Sequence, residues 1–314
     1  MVRILVISLG TNVQNSSIDE PSTSQSLSEY LATLDGDSTR VDITGMFECA
    51  IGTLTNIHGS FGRSGDLPGL WVSSESTLNA GVVFGEIFVS KGLVIHCLNA
   101  KVRGFDEIMG IGFSGIDFDP RIVAKASLCW VVAHEYFHEI RSHVSAQKKV
   151  DGSDLTSQAL EVDADLMAIA GIFRTNQLNY EGWLTPIHLR CLTLYAVFWI
   201  VRIFPNHGPA STHPTPAARL WLFVGKLAIV SESREPGAFV DADCQLTETR
   251  DFSRSLCECL VRCEKAFQQI HGAEAYGDLF VELKQMFEAR TSANILSRWA
   301  DIKGVVSELS GTVV

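Results

Sequence analysis

The chain predicts an α+β protein in which a small N-terminal β-rich region packs on a mainly helical body. Two observations lead to this fold class. Short runs of branched and aromatic residues, bounded by Gly, Asn, Ser and Lys, lie in the first third of the chain, at 2–8, 82–89 and 93–98. From residue 122 onward, apolar residues recur at helical spacing. We therefore expect three regions: a β-rich region at 1–118, a helical core at 119–235 and a helical support region at 236–314.

The helical part divides into segments in chain order. The first has neither Gly nor Pro between residues 121 and 150, and its apolar spacing predicts one long helix with a buried face. A second helix is expected at 155–174. Further helices are expected at 185–204, 213–230, 252–270, 275–290 and 294–309, of which the last three would serve as packing support.

The composition is typical of a soluble cytoplasmic enzyme. With 314 residues, of which 46% are hydrophobic, the chain can bury a sizeable core, and a net charge of -11 argues against nucleic acid and anionic membranes as main partners. No signal peptide is evident, and the most apolar stretch, 191–204, is shorter than the roughly 18 residues that cross a bilayer. We interpret that stretch as a buried helix and expect no membrane span. Eight cysteines without a CxxC pair favour reduced thiols.

The most informative motif is an HExxH string in the first predicted helix. Residues four apart project from one helix face, so His134 and His138 can bind a single metal ion while Glu135 lies beside it. The apolar residues that precede the string indicate that this helix is buried. The string therefore predicts a metal site inside the protein.

A catalytic zinc site needs a third protein ligand and an open position, and a carboxylate from a second helix is one common solution. Glu161 in the next predicted helix can provide it. Asp165 follows one turn later on the same face, where it can accept a hydrogen bond from a ligand imidazole. Asp163 turns to roughly the opposite face, and we interpret it as an ordinary surface carboxylate.

Together these blocks resemble the gluzincin metallopeptidases of the HtpX type, and even more the soluble Lit-type phage-exclusion peptidases. The matching blocks span about residues 127–222 and keep the family order: HExxH with a further His143, ExxAD at 161–165, Thr-His-Pro at 212–214, and Arg219. Phe137 and Glu139 depart from the small or aliphatic residues more common beside the second His. The absence of a predicted membrane span favours the soluble branch.

The resemblance implies a zincin-like (minigluzincin) catalytic region and a set of roles. The zinc ligands would be His134, His138 and Glu161, with Glu135 as general base and Asp165 as the carboxylate behind a ligand. His213 and Arg219 would border the site. In zinc peptidases of this kind an edge strand beside the motif helix commonly holds the substrate, and we assign that role to residues 82–89.

Three further residues can be judged from the chain itself. Thr212 is a good N-cap and Pro214 suits a first helical turn, so His213 would begin a helix. There it could donate a hydrogen bond to a developing oxyanion, or act only as a capping residue, and both interpretations stay open. Arg219 lies on an apolar helix and should pair with a buried carboxylate. His143 is interpreted as a structural residue near the ligands.

The leading hypothesis is therefore a soluble, cytoplasmic zinc endopeptidase that hydrolyses a protein or peptide substrate. The resemblance alone implies a role in phage exclusion and a substrate such as a translation factor. A second hypothesis keeps the zinc without turnover, as an inactive sensor or interaction module of a defence or regulatory locus. A third treats the motif as accidental in a metal-free helical protein. Glu135 favours the first, because a structural site needs no base.

Overall fold

The structure is a computed structural model that describes residues 24–34, 36–100, 102–110, 119, 121–180, 182–203, 213–233 and 246–311. Within these ranges the protein is mostly helical, with one four-stranded mixed sheet near the N-terminus. The predicted α+β fold class is confirmed. The strand expected at 2–8 lies outside the described residues.

The sheet contains β1 (Ser24–Ser26), β2 (Leu70–Ser73), β3 (Ala80–Val83) and β4 (Glu86–Ser90), in the order β1-β2-β4-β3. β2 and β4 are parallel, and the other two pairs are antiparallel. The prediction of one strand at 82–89 is wrong, because Phe84 and Gly85 both have positive φ and form a tight hairpin turn between β3 and β4. Glycine adopts this conformation without a steric penalty.

The described part of the N-terminal third also contains helices α1 (Leu27–Ala32), α2 (Asp37–Ser60), α3 (Lys91–Leu98) and α4 (Phe105–Met109). The strand predicted at 93–98 is therefore wrong. The hydroxyl of Ser90 accepts a hydrogen bond from the N–H of Leu93 at 3.1 Å, and this N-cap outweighs the β preference of the branched residues that follow. The 24-residue helix α2 was not predicted from the sequence.

The rest of the described chain is helical, as expected. Its helices are α5 (Ile122–Ile140), α6 (His143–Lys149), α7 (Asp154–Tyr180), α8 (Pro186–Ile203), α9 (Pro216–Ile229), α10 (Leu246–His271), α11 (Ala273–Tyr276), α12 (Leu279–Glu288) and α13 (Thr291–Ser310). The motif helix α5 is the central element, since α2, α3, α7, α8 and the β3–β4 hairpin all pack on it. A second apolar cluster forms where α13 covers α6 and α7.

The long helix predicted at 121–150 is interrupted. Ser142 has a φ of +55°, which ends α5 and starts α6 in a new direction. In one continuous helix, residues 138 and 143 would point about 140° apart around the axis, since each residue turns about 100°. With the left-handed turn at Ser142, the rings of His138 and His143 are instead in contact, with centroids 4.9 Å apart.

The starts of helices α9 and α12 also differ from the prediction. α9 begins at Pro216, where the Thr215 hydroxyl accepts from the Ala218 N–H at 3.3 Å, so His213 lies in a bend ahead of the helix rather than at its start. Thr212 lies outside the described residues. The helix predicted at 275–290 is divided at Gly277, whose φ of +71° ends α11, and Asp278 then caps α12.

Helix α8 has the length and composition of a membrane span, which corrects the expectation that this apolar segment is too short. Its 18-residue window is 78% buried inside the protein, and it packs on α5, α7, α9 and α10. The expectation of a buried helix is confirmed. Core helices of soluble proteins pass the same length and hydropathy test.

Candidate metal centre

Helices α5 and α7 bring the three predicted ligand side chains together. Nε2 of His134 lies 3.1 Å from Nε2 of His138, and the carboxylate of Glu161 lies 3.2 Å from the first ring and 3.5 Å from the second. All three side chains are buried, and one ligand atom from each lies within 4.8 Å of the others. Two imidazoles and one carboxylate in this arrangement could hold a metal ion.

His134 is supported by a carboxylate on its other nitrogen. Its Nδ1 lies 2.9 Å from Oδ1 of Asp165. Arg219 donates two hydrogen bonds of 2.7 Å to the two oxygens of Asp165, and its guanidinium lies over the ring of Trp130 at 4.8 Å. Arg219 thus balances the buried charge of Asp165, and Asp165 orients the imidazole.

The charge around His134 suits a cation. Burial lowers the pKa of this imidazole, but Asp165 and Glu161 outweigh that effect and raise the pKa to about 10. The same surroundings hold the pKa of Glu161 well below its usual value in spite of burial, through His213 and the two ligand histidines. The pocket therefore has a surplus of negative charge, which a proton or a metal ion can balance.

The buried carboxylate of Glu135 is the feature of the site that most favours a bound ion, water or substrate beside it. Its side chain is fully buried, and neither carboxylate oxygen has a hydrogen-bond partner within the part of the chain that the structure describes. Burial raises the pKa of Glu135 to about 8. A carboxylate without a partner in the core is costly unless a cation, water or substrate binds beside it. This observation fits a metal ion held by the adjacent His134, His138 and Glu161.

His213 reaches the site from the bend before α9. Its Nε2 lies 3.0 Å from Oε2 of Glu161, and its side chain is buried. Among the described residues, the group of mutually close ligand atoms contains His134, His138 and Glu161 but not His213. The structure therefore brings His213 to the edge of the centre, against the carboxylate of Glu161.

Asp163 corrects the sequence analysis. It is 7% exposed rather than solvated, because the face of α7 opposite Glu161 is covered by α6 and α13. Arg141 donates from Nε to Oδ2 of Asp163 and from Nη2 to Oδ1 at 3.2 Å, and Oδ2 also lies 3.0 Å from Nε2 of His143. His143 in turn lies with Nδ1 3.0 Å from Nδ1 of His138. Asp163 and Arg141 are thus connected to the centre, and neither had been predicted to be.

A signal for this second network was present in the sequence only in part. His143 follows the HExxH string by five residues, and Asp163 lies between Glu161 and Asp165, the two predicted site carboxylates. Helical periodicity predicted that these two side chains lie away from the predicted ligands, because it gave no indication that the helix ends before Ser142.

The strands of the sheet restrict the hypothesis that a substrate binds along an edge strand at 82–89. Within the described residues, β3 has a sheet neighbour on one side only and packs beside α5, whereas β4 is internal.

Comparison with known proteins gives no relative for this chain. It matches no protein-family model, no curated protein and no solved structure.

Proposed function

We propose that this chain is a zinc-dependent endopeptidase whose metal is held by His134, His138 and Glu161. The observation that supports the proposal best is the buried, unpartnered carboxylate of Glu135 next to that ligand group. A purely structural site has no use for such a group. When bound, zinc would supply Lewis-acid activation of a water molecule and of the scissile carbonyl.

The protein side chains supply the proton transfers and the orientation. Glu135 accepts the proton of the attacking water and later delivers it to the leaving amine. Its burial keeps bulk water from competing for that proton. Asp165 and Arg219 hold the His134 ring in one orientation, so that Nε2 faces Glu161. We assign to His213 the donation of a hydrogen bond to the oxyanion that develops on the substrate.

The substrate would bind as an added strand along β3. This strand offers an edge beside α5, and the turn that follows it comes close to Glu139 at the C-terminal part of that helix, since a Cβ on Gly85 would lie 3.9 Å from its Oε1. Main-chain hydrogen bonds would then hold an extended peptide. A charge placed in the strand, Val82→Asp, should raise KM for peptide cleavage and leave the zinc content unchanged. Unchanged kinetics would exclude β3 as the binding edge.

The test of the chemistry is the Glu135→Gln variant, loaded with zinc and compared with the wild-type protein. Metal content is measured by mass spectrometry, and cleavage is measured on casein and on a quenched fluorescent peptide library. We expect one zinc per chain in both proteins and a loss of about 10²–10⁴-fold in turnover in the variant. Glu258→Gln, an exposed carboxylate on α10, is the control. Equal cleavage by Glu135→Gln would exclude the mechanism.

A second candidate function is a zinc-dependent sensor without turnover, and the contact between His213 and Glu161 favours it. If His213 served as a fourth protein ligand, the site would be closed to water and substrate. His213→Phe separates the two functions. In a peptidase it should lower kcat with little effect on zinc affinity. In a closed site, His213→Phe should weaken zinc binding. The absorption spectrum of the wild-type protein with cobalt in place of zinc should then indicate four protein ligands.

The biological substrate is a further part of the proposal. The resemblance to phage-exclusion peptidases implies a bacterial protein such as a translation factor. Zinc-loaded Glu135→Gln should retain such a substrate without cleaving it, so that chemical cross-linking in a bacterial lysate can capture it. A captured protein that the wild-type enzyme then cleaves in purified form would identify the substrate.

A further inference from the structure

The second ligand histidine, His138, is connected to a buried ion pair through another imidazole. Its Nδ1 lies 3.0 Å from Nδ1 of His143, and Nε2 of His143 lies 3.0 Å from Oδ2 of Asp163. Arg141 holds both oxygens of Asp163. We call these four side chains the His143 relay. All of them are at least nine-tenths buried, so water cannot replace their hydrogen bonds.

The contacts determine where the protons of the relay lie. Asp163 pairs with the permanently charged Arg141, so it is an ionised carboxylate that can only accept hydrogen bonds. Nε2 of His143 must therefore donate to it. The charge of Asp163 is already balanced by Arg141, and a second buried cation would have no counterion. His143 is consequently neutral, and its Nδ1 is an acceptor.

Only one proton can lie between two nitrogens that share a hydrogen bond. Because Nδ1 of His143 is an acceptor, Nδ1 of His138 must be the donor. Its Nε2 then has a free lone pair, and this is the atom that lies near His134 and Glu161. We propose that His143 is a positioning residue that, held by Asp163 and Arg141, fixes His138 in the tautomer that can bind the metal.

This role differs from that of a general structural histidine. Asp163 is two residues from Glu161 on α7, so it projects from roughly the opposite face, and His143 connects it to His138. The left-handed turn at Ser142 places the connecting ring. A metal-binding imidazole generally needs an acceptor on its second nitrogen, and for His138 that acceptor is a neutral ring rather than a carboxylate.

The inference rests on the metal centre of the proposed function but not on peptide hydrolysis. A zinc-loaded protein without peptidase activity would overturn the function and leave the relay in place. The opposite proton positions in an active enzyme would overturn the relay alone.

The direct test is a long-range ¹H–¹⁵N correlation spectrum of the imidazole rings in the zinc-loaded, ¹⁵N-labelled protein. We expect His143 to be protonated on Nε2 only and His138 on Nδ1 only. Signals are assigned through bonds from the backbone in ¹³C,¹⁵N-labelled wild-type protein, so that no variant is needed. A His143 ring protonated on Nδ1, or on both nitrogens, overturns the proposal even if no His143 variant folds.

Substitution tests the relay independently. Gln can replace both functions of the ring, since its carbonyl accepts from His138 and its NH₂ donates to Asp163, whereas Phe can do neither. Measured by chelator competition, zinc affinity should fall about 10–100-fold in His143→Phe and stay within about threefold of wild type in His143→Gln. The control is His58→Phe, which removes a hydrogen bond to Tyr136 on α5 without contacting a ligand. Equal losses in the Gln and Phe variants, or a Phe variant equal to the control, would exclude the positioning role.

Discussion

The two candidate ligand histidines of α5, His134 and His138, differ in the group that contacts Nδ1 of each ring. His134 contacts the carboxylate of Asp165 directly, and Asp165 is held by Arg219. His138 reaches Asp163 only through His143, and Asp163 is held by Arg141. We call these two series of contacts the first arm, behind His134, and the second arm, behind His138. Both arms end in a buried aspartate–arginine pair, but the first places a full negative charge beside its imidazole and the second places a neutral ring there. The comparison teaches that two imidazoles one turn apart on a single helix can have different charge environments.

The largest difference between the two arms should appear in the free energy of unfolding when Arg219 or Arg141 is replaced. Arg219→Met leaves His134 as the remaining charged partner of Asp165 and removes the stacking on the buried Trp130, so we expect the free energy of unfolding to fall by about 3 kcal/mol. Arg141→Met should cost less, because His143 still donates to Asp163 and the aromatic contact that is lost, to the partly buried Trp299, is longer at 5.7 Å. Urea unfolding of the zinc-free proteins measures both. Equal losses would show that the stacking on Trp130 adds nothing to the ion pair.

The next largest difference is expected in zinc affinity, which should depend more on Asp165 than on Asp163. Asp165→Asn removes the charge that contacts His134, and we expect the zinc affinity to fall about 10–100-fold. Asp163→Asn keeps an oxygen that can accept from His143, so its effect should stay below about tenfold. Chelator competition at constant pH gives both values. A larger effect for Asp163→Asn would reverse the order of the two arms.

The two histidines should also give the zinc-free protein opposite pH dependence. Burial opposes it, but Asp165 and Glu161 raise the pKa of His134 to about 10, whereas burial lowers that of His138 to about 4. The contribution of His134 is present below pH 6.5 and is lost as the pH rises toward 10. His138 must take up a proton on unfolding below pH 6.5, so its contribution is lost as the pH falls toward 4.

Each slope should approach about 1.4 kcal/mol per pH unit for one proton. Unfolding is measured from pH 4.5 to 9.5 in Glu135→Gln protein, because Glu135, with a pKa of about 8, would otherwise add to the alkaline slope. His134→Gln should reduce the alkaline slope, and His138→Gln should reduce the acidic slope, to which His143 also contributes because burial lowers its pKa. The same slope in both variants would contradict the assignment of the two charge environments.

The smallest effect is expected where the second arm meets the C-terminal helix. Arg141 lies 5.7 Å from the ring centroid of Trp299 on α13, and the Trp299 side chain is only partly buried. Trp299→Leu keeps apolar packing and removes the cation–π contact, at a cost of about 0.5–1 kcal/mol. The exposed pair of Lys149 and Glu308, between α6 and α13, is the comparison, and Lys149→Ala should cost less than about 0.5 kcal/mol. Thermal unfolding resolves the two.

The sequence was sufficient to predict which side chains of the candidate site meet wherever they share one helix face. His134 and His138 are one turn apart, as are Glu161 and Asp165, and helical spacing brings each pair to the same side. The contact between His138 and His143 depends instead on the backbone of Ser142, a non-glycine residue in the left-handed region. No propensity rule predicts that conformation at this position.

The N-terminal third was harder to predict for a related reason. Residues 93–98 have a strand-like composition, yet Ser90 caps a helix there, and Gly85 converts one apparent strand into a hairpin. Local caps and turns decide such short segments, and tertiary packing on α5 determines the rest.

The route of the chain through the two arms has a consequence for biosynthesis. A growing polypeptide exposes His134 and His138 first, then Glu161 and Asp165, while Arg219 emerges 54 residues after the aspartate it neutralises. A chain that ends before α9 therefore contains the buried carboxylate of Asp165 without the guanidinium that balances it.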